Sequence, residues 1–127
     1  MPNNITWKVQ ASVAGGPSTS SSQSIPIEAY DKIAVEVEDG DADEEVEIQP
    51  GGAGQVRFLQ ITSTAYGSNL SYKVNAAVNP PHELDRPLVL AGDGAVGLLD
   101  PAPTSLFFTN SLGSSATVHV LVGRNAT

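Results

Sequence analysis

Apolar residues recur at every second position through much of this chain. Ile5, Trp7, Val9, Ala11 and Val13 alternate with Thr6, Lys8, Gln10 and Ser12. Ile33, Val35 and Val37 alternate with Ala34, Glu36 and Glu38, and Val46 and Ile48 with Glu45 and Glu47. Leu70, Tyr72, Val74 and Ala76 repeat the pattern against Ser71, Lys73 and Asn75. Successive strand side chains point to opposite faces, so this period marks strands with one buried face. Val56 to Thr62 departs from it, with Val56 and Phe58 on one face and Leu59 and Ile61 on the other. Either that strand is buried on both faces, or a β-bulge at Phe58–Leu59 resets its phase.

Breaks in the pattern set the elements apart. Gly15-Gly16-Pro17 ends the first strand, and the Ser-rich run from Ser18 to Gln23 has nothing to bury, which predicts a loop. Ile25, Ile27 and Ala29 alternate around Pro26, which lacks a ladder donor and belongs on an edge or at a bulge. A central hairpin is predicted over Lys32–Gln49, turning at Asp39-Gly40-Asp41-Ala42-Asp43, with the strand at Gln55–Ser63 beside it. Pro50-Gly51-Gly52-Ala53-Gly54, Ala65 to Asn69, Asn79-Pro80-Pro81-His82, Gly92-Asp93-Gly94 and Asp100-Pro101-Ala102-Pro103 mark further turns. Pro87 to Ala91 and Val96 to Leu99 read as short strands. Leu106-Phe107-Phe108 and Val118, Val120 and Val122 read as a closing hairpin joined through Gly113-Ser114-Ser115.

No eleven-residue window carries an uninterrupted helical apolar stripe, so almost no helix is expected. Eight or nine short antiparallel strands with regular turn signals predict an all-β fold, a jelly-roll-like β-sandwich spanning residues 1–127 as a single domain. Its expected core is Trp7, Val9, Ile33, Val35, Val37, Phe58, Ile61, Leu70, Val74, Leu106, Phe108, Val118 and Val120.

Composition narrows the classes of function. The chain has no cysteine, so disulfides and thiolate metal sites are excluded. Six basic residues face fourteen acidic ones, a net charge of -8, which argues against nucleic acid or an anionic membrane as partner. No apolar run approaches a membrane span, and the N-terminus resembles no signal peptide, so synthesis in the cytoplasm is expected. Eight of the fourteen acids fall between Glu36 and Glu47. Asp39, Asp41 and Asp43 alternate as calcium ligands can. The EF-hand pattern fails, because Glu44 stands where glycine is needed and Pro50 where glutamate is needed. A solvated loop guarding sheet edges is the simpler account, and no cofactor is expected. If Glu36, Glu38, Glu45 and Glu47 share one hairpin face, a cation or a basic partner would relieve their repulsion.

Catalytic constellations are missing. His82 and His119 are far apart in sequence, no serine sits in a Gly-x-Ser-x-Gly elbow, and Gly92 to Gly97 matches only the spacing of a dinucleotide loop. Phe107, His119 and Leu121 lie in the outward phase of their strands. An apolar patch there would mark an interface, since monomers keep such patches small; a strand buried on both faces within one subunit is the equal alternative.

The segment Phe108-Thr109-Asn110-Ser111-Leu112, a Gly-Ser-Ser turn, and Ala116-Thr117-Val118-His119-Val120-Leu121-Val122-Gly123 resemble the close of small all-β structural proteins of tailed phages. The resemblance covers about twenty residues plus the strand rhythm. It implies a non-enzymatic structural subunit of a virion (decoration, fibre or tail). It also implies a homo-oligomer, a trimer first, with other virion proteins as further partners. The alternative is a small-ligand or carbohydrate-binding β-sandwich, with Tyr30 and Tyr66 available for stacking.

Overall fold

The computed structural model describes residues 3–48, 56–98 and 104–124. The turns predicted at 50–54 and 100–103, and the ends of the strands predicted around 49, 55 and 99, lie outside them. The strands are β1 (Asn3–Ser12), β2 (Ser18–Ile27), β3 (Ala29–Val37), β4 (Glu44–Glu47), β5 (Val56–Ser63) and β6 (Gly67–Val74). They continue as β7 (His82–Leu84), β8 (Leu88–Ala91), β9 (Ser105–Asn110) and β10 (Ala116–Arg124), with one helical turn, α1 (Asp93–Val96).

Eight strands form two four-stranded antiparallel sheets, ordered β3-β10-β5-β8 and β4-β9-β6-β7. The pairing is nested along the chain. β3 pairs with β10, β4 with β9, β5 with β8 and β6 with β7. A long antiparallel ribbon rolled onto itself gives this order, and the added pairs β10–β5 and β6–β9 close each sheet. The inner faces meet over a core of Val37, Val46, Ile48, Leu59, Ile61, Leu70, Tyr72, Val74, Leu106, Phe108, Val118, Val120 and Val122, all buried. Ile33 and Val35 are partly buried against it.

Several sequence expectations are corrected. Ten strands are present among the described residues, where eight or nine were expected. The added one is β7 at His82–Leu84, after a turn that was expected to end its predecessor. The Ser-rich run is no loop but extends the strand expected around Pro26, and β2 pairs with β1 in register from Ser12↔Ser18 to Asn3↔Ile27. Residues 18–24 bury neither face, so they carry no apolar period that could reveal them.

Lys32–Gln49 is not a hairpin, since β3 and β4 belong to different sheets. Residues 38–43 carry the chain across the sandwich to β4, which pairs with β9, and β5, the strand expected beside that hairpin, pairs with β10 and β8 instead. Glu36 therefore lies opposite Thr117, while Glu45 lies opposite Phe107 and Glu47 opposite Ser105, so the expected like-charged face does not form. β9 and β10 are likewise in different sheets, and β10 is central rather than at an edge. Residues 93–96 make a helical turn where a strand from Val96 was expected.

β5 is buried on its core face and, at Phe58, on its outer face too, and its register shift falls beside Arg57, one step before the predicted bulge. Leu59 and Ile61 face the core. Phe58 lies opposite Gly123 on the outer face and is only 1% exposed. What covers it is the base of the β1–β2 ribbon. A Cβ on Gly123 would stand 2.5 Å from Ile5 Cδ1 and 3.1 Å from Ile27 Cγ2, so the ribbon closes directly onto that glycine. Trp7 and Val9 accordingly belong to the ribbon and not to the core. Trp7 is half-buried, and Val9 is 48% exposed.

Candidate interaction surface

The outer face of the β3-β10-β5-β8 sheet can be built row by row from its register. Tyr30, Gly123, Phe58 and Ala91 form one row, and Lys32, Leu121, Gln60 and Val89 the next. Ala34, His119 and Thr62 follow. The ribbon covers Gly123 and Phe58 in the first row and leaves Tyr30 exposed. The next two rows are open, and Lys32, Gln60, Thr62, His119 and Leu121 line a groove of about 430 Å³. A second groove of about 320 Å³ lies where the ribbon leaves the sheet, between Asn4, Ile5, Ile27, Tyr30 and Leu121.

Two of the three predicted interface residues, His119 and Leu121, are thus brought together. Both are half-buried, because each stands between side chains on the flanking strands. Phe107 is not part of this face. It lies on the outer side of the other sheet, directly opposite Glu45 on β4 and Lys73 on β6. Aliphatic stems of such residues can cover an aromatic ring, and Phe107 is half-buried without a partner chain. The three residues do not form one patch, because successive strands of the rolled ribbon fall in different sheets.

The acidic loop is used inside the chain. The Asp39 carboxylate accepts from the Gly113 N–H at 2.9 Å, and that of Asp41 from the Glu38 N–H at 2.9 Å. Asp43 pairs with Lys73 at 3.1 Å, and its N–H donates to Thr109 Oγ1. Among the described residues no three His, Cys, Asp or Glu side chains converge as metal ligands. The calcium candidates are therefore spread over three separate contacts.

His82 and His119 stand in different sheets. The His82 ring lies 5.3 Å from that of Tyr72, whose phenol is pushed above its ordinary pKa by burial. Tyr30 is 59% exposed, whereas the hydroxyl of Tyr66 accepts from the Ser63 N–H at 2.9 Å. Of the two tyrosines expected to be free for stacking, only Tyr30 is well exposed.

Sequence reading missed the ribbon as an element. One face carries Ile27, Ile5, Ile25, Trp7, Val9 and Ala11, with Gln23, Ser21 and Thr19 opposite the last three. The other face carries Asn4, Thr6, Lys8, Gln10 and Ser12 against Pro26 and four serines. Residues 8–24 are exposed throughout. The alternation of β1 was a sound signal for an apolar face, but not for what that face meets.

No family model, curated protein or solved structure matches this chain. Among the described residues no helix is long and apolar enough to cross a membrane.

Proposed function

We propose that this protein is a non-enzymatic assembly subunit that works through its surfaces, as a homo-oligomer in the virion of a tailed phage. The observation that carries this is the open pair of rows on the outer face of the β3-β10-β5-β8 sheet. Leu121 lies there on a central strand, in the same row as Val89 with Gln60 between them, and Val89 is 41% exposed, at a place where a solitary sandwich gains more from polar groups. The nested strand order agrees with an eight-stranded jelly roll, an architecture used by capsid proteins, which supports the virion reading by analogy of fold. A cyclic assembly, a trimer first, would bury the face against copies of itself.

Sedimentation of the wild-type protein at micromolar to millimolar concentration tests this. The expected result is an oligomer that Leu121→Glu dissociates with its β-sheet circular dichroism unchanged. A wild-type monomer at the highest concentration would overturn it.

One observation favours a second reading. The groove between Lys32, Gln60, Thr62 and His119 offers hydrogen-bonding groups beside an apolar floor, as small-ligand sites do. A monomer that binds a glycan or other small molecule there would place the protein in that class.

A further inference from the structure

We infer that the β1–β2 ribbon is an arm that lays its apolar face on the outer sheet face of a second copy of this chain. The inference rests on the assembly reading above and names the element that performs it.

Three observations carry it. The first is continuity. The ribbon's apolar face is in use at its base, where Ile5 and Ile27 close onto Gly123 and Phe58 is covered. The same face runs on past the half-buried Trp7 to Val9 and Ala11, which are exposed, and Val9 and Val13 are 48% and 64% exposed. A two-stranded ribbon is marginal in water by itself and needs a surface against one side. The opposite side of the ribbon is polar apart from Pro26 and already suited to solvent.

The second is charge. Residues 3–27 contain one cation, Lys8, and no acid, while all fourteen acids lie beyond them. Two copies of a chain at -8 repel one another across most approaches. Residues 48–82 and 101–127 are also free of acid, but β5, β6, β9 and β10 within them are packed in the two sheets; the exposed overhang of the ribbon can meet the acidic body of another copy without setting carboxylate against carboxylate.

The third is area. From Trp7 to the turn, the overhang is roughly 24 Å long and 10 Å wide at about 3.4 Å per residue and 4.8 Å per strand. Each copy gives one arm and receives one, so a closed pair buries roughly 1,000 Å² in all and a trimer roughly half as much again, at or above the threshold for a specific interface. The receiving face of fitting character is the open one beside the ribbon's own base. Its Leu121 and Val89 match the apolar overhang, and Lys32, Gln60 and Thr62 can meet the Ser and Gln side chains of β2.

The chain has no cysteine, so introduced thiols are the sole ones present. Two full-length single variants, Val9→Cys and His119→Cys, are mixed under mild oxidation and the products weighed by mass spectrometry. Each chain carries one thiol, so a mixed disulfide must join two chains. In parallel, Val9→Asp is compared with wild type by sedimentation; Val9 is exposed, so folding is not at issue. The expected results are a mixed disulfide well in excess of either homodimer, and a fall of Val9→Asp to monomer mass.

An oligomeric Val9→Asp overturns the arm and leaves the assembly reading standing if Leu121→Glu still dissociates. Dissociation of Val9→Asp without any mixed disulfide overturns the proposed receiving face. A monomeric wild type overturns both the arm and the assembly.

Discussion

Asn110 is a fully buried asparagine at the end of β9, and every polar group it carries is used. Its Nδ2 donates to Val37 O at 2.8 Å and Ser114 O at 2.9 Å, and its Oδ1 accepts from the Leu112 N–H at 2.8 Å. Its backbone N–H donates to Asp41 O, and its carbonyl accepts from the Gly40 N–H. One residue therefore ties together the loops at 38–43 and 111–115 that carry the chain between sheets. Asn110→Ala should cost about 1–3 kcal/mol for each buried partner left unpaired, read from urea denaturation. A loss within the roughly 0.5 kcal/mol of an ordinary surface change would mean that water replaces the amide. At this scale the sequence was uneven. Phe108, Leu106, Val118 and Val120 announced their burial by period alone. Asn110 carried no signal of its own in the sequence, because its role depends on Val37, 73 positions away.

At the scale of elements, apolar alternation located most strands but not their partners. A six-residue link such as 38–43 suits a hairpin and a crossing between sheets equally well. Left-handed backbone at Gly40 and Asp43 also suits either turn. What decides is whether the flanking apolar faces are better buried side by side or across from one another, which depends on strands far along the chain. The ribbon makes the same point from the other side. β1 had the clearest alternation in the sequence, and it was assigned to the core for that reason. In fact only the base of its apolar face meets the body, through Gly123.

Gly123→Val places branched carbon where Ile5 and Ile27 now sit. Overpacking of this kind should cost about 1–3 kcal/mol and lift the ribbon base. Trp7 is the sole tryptophan, so its emission should shift to longer wavelength in the same variant. An unchanged emission maximum would show that the ribbon does not depend on that contact.

For the whole molecule the governing number is the net charge of -8. Each copy added to an assembly brings the same excess of carboxylates, and the acid-free ribbon lessens the repulsion without removing it. If the contact is mainly apolar, as Val9, Leu121 and Val89 suggest, salt should help it. Screening lengths fall from about 30 Å at 0.01 M to about 10 Å at 0.1 M, so repulsion between the acidic bodies is cut while apolar burial is left intact. Raising sodium chloride over that range should therefore tighten self-association several-fold by sedimentation equilibrium. The Lys73–Asp43 pair, which lies within one chain, should contribute little to the change. The opposite sign, dissociation on adding salt, would mean that ion pairs between copies dominate. In that case Lys8 is the ribbon's only cation able to make one, and Lys8→Gln should abolish the salt dependence.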